Sequence, residues 1–377
     1  MRRLIRPYRI YLCIILLLAL SLPARASEPF AVAAKGAALI DGDTGRVLFG
    51  QNENRRLPMA STTKVMTALL ALENAGLDEP VTASKNASGV PGTSLYLSVG
   101  ETLSMEHMLY GLMLRSGNDA AVAIAEHVAG SVPAFAEMMN ARAAELGVDA
   151  HYVNPHGLDA EGHAISALGL CLVMRQAMQD PDFRRITGTR RKVIPWVGNE
   201  FSRVLENKNR LLRTYEGATG GKTGYTGRAG RCLVFSAERD GLSLIGAVLN
   251  CPTWFDTATA LLDYGFENFR MEAACEAGAR LAELPVVGGE ALSVDIVADG
   301  ALKAAVPVGS VARTEIDLPN ELEAPVLQGE QVGSASLVCG GQVLARCGLV
   351  ADETVERRSF ARSLTRLLRR WALLFAP

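Results

Sequence analysis

Two strand patterns near the start of this chain and two more past its middle bracket a long run of helical patterns. That order restricts the folds open to it. Gly36-Ala37-Ala38-Leu39-Ile40-Asp41 and Arg46-Val47-Leu48-Phe49-Gly50 are short apolar runs split by the turn residues Gly42-Asp43-Thr44-Gly45. Residues 230–238 and 242–250 repeat the pattern and are joined by Arg239-Asp240-Gly241, a hairpin signal. Between these pairs, apolar residues recur at helical spacing over 61–74, with Val65, Leu69 and Leu72 in phase, and again over 105–114, 119–129, 132–146 and 167–179. Residues 257–264 read as a closing helix. Strands at both ends with helices between them imply an α+β fold, in which an antiparallel sheet carries the helices.

At 377 residues the chain is long enough for two domains. Its character changes near Arg270: short alternating runs such as Ser293-Val294-Asp295-Ile296-Val297 and Ser334-Ala335-Ser336-Leu337-Val338, punctuated by Gly and Pro, predict a small all-β domain over 271–352. Residues 353–377 change again. At 100° per residue, Phe360, Leu364, Leu367, Leu368 and Trp371 share one face, and Arg358, Arg362, Arg366 and Arg369 the other. A C-terminal amphipathic helix of this kind suits the surface of an anionic membrane and is too charged and short to span one.

The N-terminus reads as a signal peptide over 1–26. Arg2, Arg3, Arg6 and Arg9 precede an apolar run over 10–22, and Ala24-Arg25-Ala26 supplies small residues at the cleavage positions. An uncleaved anchor is the other reading, but the run is short for a span. The protein is therefore expected to be exported and to act at the outer face of the cytoplasmic membrane. A net charge of -2 and few aromatics exclude nucleic acid as an expected partner. Cys171, Cys232, Cys251, Cys275, Cys339 and Cys347 remain after cleavage, with no C-x-x-C pair among them, and are read mainly as isolated buried thiols. With Gly340-Gly341 as a two-residue turn, Cys347 faces Ser334.

Three short strings carry the chemistry. Ser61 and Lys64 stand three apart at a helix start, on one face and within mutual reach. A serine hydroxyl attacks only when a base takes its proton, and a lysine serves as that base once burial or a second cation lowers its pKa. Lys222 is the candidate second cation. Taken alone, Ser61 reads as a helix cap. Ser116-Gly117-Asn118 lies between two helical patterns. The Ser116 hydroxyl can relay a proton, and the Asn118 amide can hold a substrate peptide group and Lys64; taken alone, the tripeptide reads as a turn. Lys222-Thr223-Gly224 opens the second strand region. There Lys222 and the Thr223 hydroxyl can hold a carboxylate, and Gly224 lets a substrate backbone approach.

Together, in this order, the strings resemble the S-x-x-K, S-x-N and K-T-G motifs of the penicillin-recognising serine enzymes. The tracts Leu57-Pro58-Met59-Ala60-Ser61-Thr62-Thr63-Lys64-Val65-Met66-Thr67, Met113-Leu114-Arg115-Ser116-Gly117-Asn118-Asp119-Ala120-Ala121 and Lys222-Thr223-Gly224-Tyr225-Thr226 narrow the resemblance to the serine-type D-alanyl-D-alanine carboxypeptidases, the low-molecular-mass penicillin-binding proteins. Asn154-Pro155-His156-Gly157-Leu158 and Leu262-Asp263-Tyr264-Gly265-Phe266 are further family-like segments. The resemblance covers about 34–269. It implies a β-lactamase/transpeptidase-like catalytic domain over 27–270, followed by the small β domain and the helix. It further implies Ser61 as acyl-ester nucleophile, Lys64 as general base, Ser116 as proton relay, and Asn118, Lys222, Thr223 and Gly224 as substrate-binding residues. The backbone N–H groups of Ser61 and Tyr225 would form the oxyanion hole. Peptidoglycan stem peptides are the implied substrate and β-lactams the implied inhibitors, with no cofactor.

Some residues depart from the family pattern. Ala164, Ile165 and Gly169 replace an aromatic residue, a Ser/Thr and a helix-starting acid after His163. Gly227-Arg228 stands where acidic residues are common, and Ser243 where some members carry a basic residue that helps hold the substrate carboxylate. Other readings are weaker. His156, Asp159, Glu161 and His163 lie close enough to suggest a metal, but in a Gly-rich loop without a helix to align them. A class A β-lactamase needs a deacylating glutamate that no segment supplies. A non-catalytic peptidoglycan-binding relative conflicts with the intact Ser61 and Lys64.

Overall fold

The computed structural model describes residues 31–359. The expected signal peptide and most of the C-terminal helix fall outside these residues. Among the described residues no helix is long and apolar enough to cross a membrane.

Strands β1 (Gly36–Asp41) and β2 (Val47–Gln51) form a hairpin at one edge of the first sheet. A single 3-10 turn over Ala60–Thr63 leads into helix α1 (Lys64–Asn74), so the helix expected from Ser61 begins with a tighter turn that carries Ser61 itself. Helix α2 (Met105–Tyr110) widens into a π turn over Gly111–Arg115 and stops at Ser116. Helices α3 (Asn118–Ala129), α4 (Val132–Glu145) and α5 (Ala167–Ala177) follow in the helical layer. Ser131 and Ser166 cap α4 and α5 by accepting the N–H of Ala134 and Gly169. The small hairpin β3 (Arg191–Ile194) and β4 (Arg203–Glu206) precedes β5 (Ala218–Thr226), β6 (Gly230–Arg239) and β7 (Leu242–Leu249). The β6–β7 turn is Asp240-Gly241, both at positive φ, which is the backbone a two-residue hairpin needs.

The five strands pair in the order β2-β1-β7-β6-β5, antiparallel throughout. The first two strands thus join the last three, and the helices between them pack their apolar faces into one core with Met66, Leu109, Ile124, Phe135 and Val173. This order leaves β5, with Lys222-Thr223-Gly224, on an open sheet edge. Helix α6 (Trp254–Asn268) closes the domain and is longer at both ends than expected.

The second domain begins at β8 (Phe269–Cys275). It contains β9 (Arg280–Val287), β10 (Ser293–Ala298), β11 (Leu302–Pro307), β12 (Ala312–Asp317), β13 (Leu322–Glu323), β14 (Gln331–Cys339) and β15 (Gln342–Ala351). Strands β8 and β11 pair, and the others form a six-stranded sheet, β12-β14-β15-β10-β9-β13, around a separate core with Val294, Ile296, Leu302, Leu337 and Leu349. The turn at Gly340-Gly341 is as expected, but a bulge between Leu337 and Val338 moves the register, so Cys347 faces Ala335 rather than Ser334. All six described cysteines are free thiols. Residues assigned above to the start of the terminal helix extend the β domain instead, with Val355 bridging Val326 and Arg357 bridging Gly289.

Candidate active site

The 3-10 turn over Ala60–Thr63 presents Ser61 between the open edge of β5 and the Ser116 turn. Ala60 holds a left-handed backbone (φ 48°), rare for a residue with a Cβ, and is almost fully buried. Its carbonyl accepts the Thr63 hydroxyl at 2.8 Å. Gly157 (φ 87°) packs against the same carbonyl so closely that a Cβ there would stand 1.9 Å from the oxygen. Gly224 meets the other side, where a Cβ would stand 2.8 Å from Ser61 N and 3.0 Å from Thr62 N. Any larger residue at 157 or 224 collides with the turn that carries Ser61.

Lys64 is completely buried. Its Nζ lies 3.0 Å from Ser61 Oγ and donates to Asn118 Oδ1 at 2.7 Å and to the carbonyl of His156. Burial, and then the positive charges of Lys222 and Lys208, hold its pKa well below the usual lysine range, with Asp119 acting in the opposite direction. Lys222 is also buried. Its Nζ donates to the Thr223 carbonyl at 2.8 Å, and burial with the nearby Lys208 charge brings its pKa down to about 7. Ser116 is buried in a left-handed conformation (φ 70°) at the end of the π turn, and the hydrogen bonds of Lys64 go to Ser61, Asn118 and His156 rather than to it. Asn118 also donates to the Pro91 carbonyl at 2.7 Å, which fixes its amide with the oxygen toward Lys64. Thr223 is nearly buried, and Tyr225 beyond Gly224 is exposed.

The motifs do not mark every group in this cluster. The His156 carbonyl is delivered by the loop Asn154-Pro155-His156-Gly157-Leu158, where Asn154 Oδ1 accepts Gly157 N–H at 2.7 Å and the Pro155 carbonyl accepts Thr67 Oγ1 at 2.6 Å. His163 reaches the Ser61 turn from behind. Its Nδ1 accepts Val153 N–H at 3.0 Å and its Nε2 lies 2.8 Å from Thr63 Oγ1, so the neutral ring carries its proton on Nε2. Burial brings its pKa down to about 4 and that of His156 to about 3. His156 Nδ1 accepts Leu158 N–H at 3.1 Å, so both rings are engaged with protein groups rather than set toward a common metal. Lys208 adds positive charge near Lys222 and Lys64, and Arg115 adds it near Lys208; only their basic character in the sequence hints at this.

The departures from the family pattern also find their places. Ile165 is fully buried and bridges Leu57, and Gly169 gives its N–H to the Ser166 cap, so both serve packing. Ser243 does not stand beside Lys222. It pairs with Glu238 at the turn end of β7 and accepts Gly42 N–H through its carbonyl, whereas Lys222 lies across from Val234, which in turn faces Ala247.

Residues 23–253 match the D-alanyl-D-alanine carboxypeptidase family, and residues 269–357 match the penicillin-binding protein 5 C-terminal domain. The chain is 32% identical over 350 residues to D-alanyl-D-alanine carboxypeptidase DacF of Bacillus subtilis, covering 90% of each. It is 30% identical over 353 residues to DacC of Escherichia coli, covering 88% of this chain and 87% of that one. Among solved structures, penicillin binding protein 5 from Haemophilus influenzae superposes with a TM-score of 0.76 at 28% identity, covering 88% of this chain and all of that one. With both domains matched in order, the chain belongs to the D-alanyl-D-alanine carboxypeptidase family and is a low-molecular-mass penicillin-binding protein.

Proposed function

We propose that Ser61 is the nucleophile through which this serine DD-carboxypeptidase removes the terminal D-Ala of peptidoglycan stem pentapeptides. The observation that carries the proposal is the hydrogen bonding of Lys64. A neutral amine has two N–H bonds and one lone pair. Asn118 Oδ1 and the His156 carbonyl accept the two N–H groups, which leaves the lone pair facing Ser61 Oγ. Lys64 thus takes the serine proton as Oγ attacks the carbonyl of the penultimate D-Ala.

The substrate backbone lies along the open edge of β5, as an added strand does. Its carbonyl oxygen points to the N–H groups of Ser61 and Tyr225, the oxyanion hole implied by the family resemblance. Lys222, Thr223 and the nearby Lys208 receive the terminal carboxylate, a role the Ser243 position cannot fill. Ser116 passes the proton to the leaving amine, D-Ala departs, and water hydrolyses the ester. A β-lactam mimics the D-Ala-D-Ala end and acylates Ser61. The arginine-rich N-terminal run with its small-residue cleavage site, and the basic amphipathic C-terminal segment, support export and attachment to the outer face of the membrane, with the catalytic domain spanning 27–270 and the β domain following it.

Incubation with labelled penicillin followed by mass spectrometry tests the assignment. The expected result is a lasting adduct on wild type, none on Ser61→Ala, and D-Ala release from a pentapeptide by wild type only. An adduct that survives Ser61→Ala rules the nucleophile out, and rapid repeated penicillin turnover indicates a β-lactamase instead.

A further inference from the structure

Between the two domains lies a cavity of about 520 Å³. Its walls carry Asp43 and Thr44 from the β1–β2 turn, Arg175 from α5, Lys303 from β11 and Arg346 from β15. Three cations and one carboxylate thus share this space, and none of them belongs to the Ser61 cluster.

The hydrogen bonds show which of these groups are already engaged. Lys303 pairs with Asp43 at 2.9 Å. That hydrogen bond, and then the charges of Asp43, Glu276 and Glu238, hold the Lys303 pKa above the usual lysine range against partial burial. Thr44 is engaged as well: its hydroxyl donates to Asp41 Oδ2 at 2.7 Å and accepts Arg46 N–H at 3.2 Å. Arg175 gives its Nε hydrogen to the Gly42 carbonyl at 3.0 Å and one Nη2 hydrogen to the Asp43 carbonyl. Arg346 gives its Nε hydrogen to Ser336 Oγ at 3.1 Å. Neither arginine has a carboxylate partner among the described residues. A guanidinium carries five N–H donors, so most of those on the two side chains remain unspent. The cavity is rich in donors and positive charge, while its side-chain acceptors are in use.

A brace for the β1–β2 turn accounts for the two bonds of Arg175 to main-chain oxygens. It does not account for Arg346, which comes from the other domain and adds a like charge to the same space. Like charges held together repel. An anion between them turns that repulsion into a bridge.

We propose that this cavity binds a phosphate group between Arg175 and Arg346, and that the bound group ties the β domain to the catalytic domain. Phosphate suits these donors better than a carboxylate does. Its oxygens are arranged tetrahedrally, so it meets guanidinium groups that arrive from separate elements, whereas a carboxylate offers two oxygens in one plane. The group can arrive on a soluble phosphate ester or on the headgroup of an anionic phospholipid, since both present the same chemistry to the arginines. The site stands apart from the Ser61 assignment and is tested without it.

The probes are glycerol 3-phosphate and vesicles of phosphatidylglycerol, added to the full chain. Sodium chloride at equal ionic strength and phosphatidylcholine vesicles are the references. At saturation the ester is expected to raise the wild-type melting temperature by about 3 °C over chloride, and to slow proteolytic cutting near Asn268 and Phe269. Arg346 is exposed, so its variants should melt with wild type in chloride. Arg346→Gln should weaken calorimetric binding of the ester about tenfold, the scale of one charge-assisted contact. Arg346→Lys should keep part of the binding, and Arg346→Glu should lose the response. Comparing wild type with Arg346→Glu on the same vesicles cancels any attachment through the basic C-terminal segment. If phosphatidylglycerol vesicles protect the junction of wild type but not of Arg346→Glu, the phosphate comes from a lipid headgroup. Protection by the ester alone assigns it to a soluble source. A wild-type response no larger than that to chloride overturns the site, and so does an Arg346→Glu variant that responds as wild type does.

Discussion

Ala60 shows how single residues set the site. A left-handed Ala60 costs about 1–3 kcal/mol, and it is kept because three contacts converge on its turn: Thr63 Oγ1, the backbone of Gly157 and the backbone of Gly224. His163 buttresses this from behind by holding the Thr63 hydroxyl and Val153 N–H together. His163→Ala leaves both groups without their partner and is expected to cost about 2–3 kcal/mol. It should also slow penicillin acylation about tenfold without removing the Ser61 adduct, whereas His163→Gln, which can span the same two groups, should recover part of both. Denaturant unfolding and stopped-flow acylation read the two effects. The cations around Lys64 make a second prediction. As the proposed general base, Lys64 would act only when neutral, so acylation should rise with pH and level off above its pKa, which burial, Lys222 and Lys208 depress. Lys208→Gln removes a positive neighbour, raises the Lys64 pKa and should move the rising limb of the acylation profile to higher pH; a limb that stays in place or moves down refutes the coupling. The depressed lysines also set a stability trend. Between about 7 and 10.5 the unfolded chain holds a proton at Lys222 that the folded protein does not, so folded stability rises with pH across that window.

At the scale of elements, the wall opposite β5 depends on a single buried pair. Arg203, from β4, bonds Glu101 and the carbonyls of Leu95, Pro195 and Tyr96, and both charged side chains are 5% exposed or less. It thereby fastens the β3–β4 hairpin to the segment that Asp119 ties to the Ser116 turn. Removing one member of such a pair strands the other charge in the interior. Arg203→Met is therefore expected to lower stability by about 3–5 kcal/mol, and the Arg203→Met/Glu101→Leu double variant by clearly less, since no charge is left stranded. Urea midpoints at constant slope measure both, and a double variant no better than the single one removes the stranded-charge explanation. The elements themselves were largely legible, because helices and strands declare their apolar period residue by residue. What local pattern cannot carry is register. The bulge at Leu337/Val338 shifts Cys347 by one partner, and strand pairing sends Ser243 to the far end of β7 from Lys222. The strings around Ser61, Ser116 and Lys222 stood out because side-chain chemistry names its residues. The third contact of Lys64 did not, since a main-chain oxygen such as that of His156 has no residue signature and arrives from a distant loop.

At the scale of the molecule, the two domains are fastened at the end of the sheet away from Ser61. Asp41 ends β1, where it faces Leu244, while Ala38 in the same strand lies across from Ala247, whose other neighbour Val234 pairs with Lys222. The buried Asp41 carboxylate accepts Thr44 Oγ1 at 2.7 Å and, from the β domain, Ala305 N–H at 2.9 Å. Arg46 donates to the Ala305 carbonyl, and Lys303 pairs with Asp43 at 2.9 Å. One carboxylate thus closes a catalytic-domain turn and satisfies a backbone donor of the neighbouring domain. Asp41→Ala leaves that donor buried and unpaired and opens the turn, at an expected cost of about 2–3 kcal/mol. Because the junction and the Ser61 cluster share only the rigid sheet, the folded fraction of Asp41→Ala should acylate with penicillin within about twofold of the wild-type rate. Proteolysis should then cut between the domains, near Asn268 and Phe269, well before either core is digested. An acylation rate that falls in step with the loss of stability would show instead that the β domain sets the geometry of Ser61 through this contact.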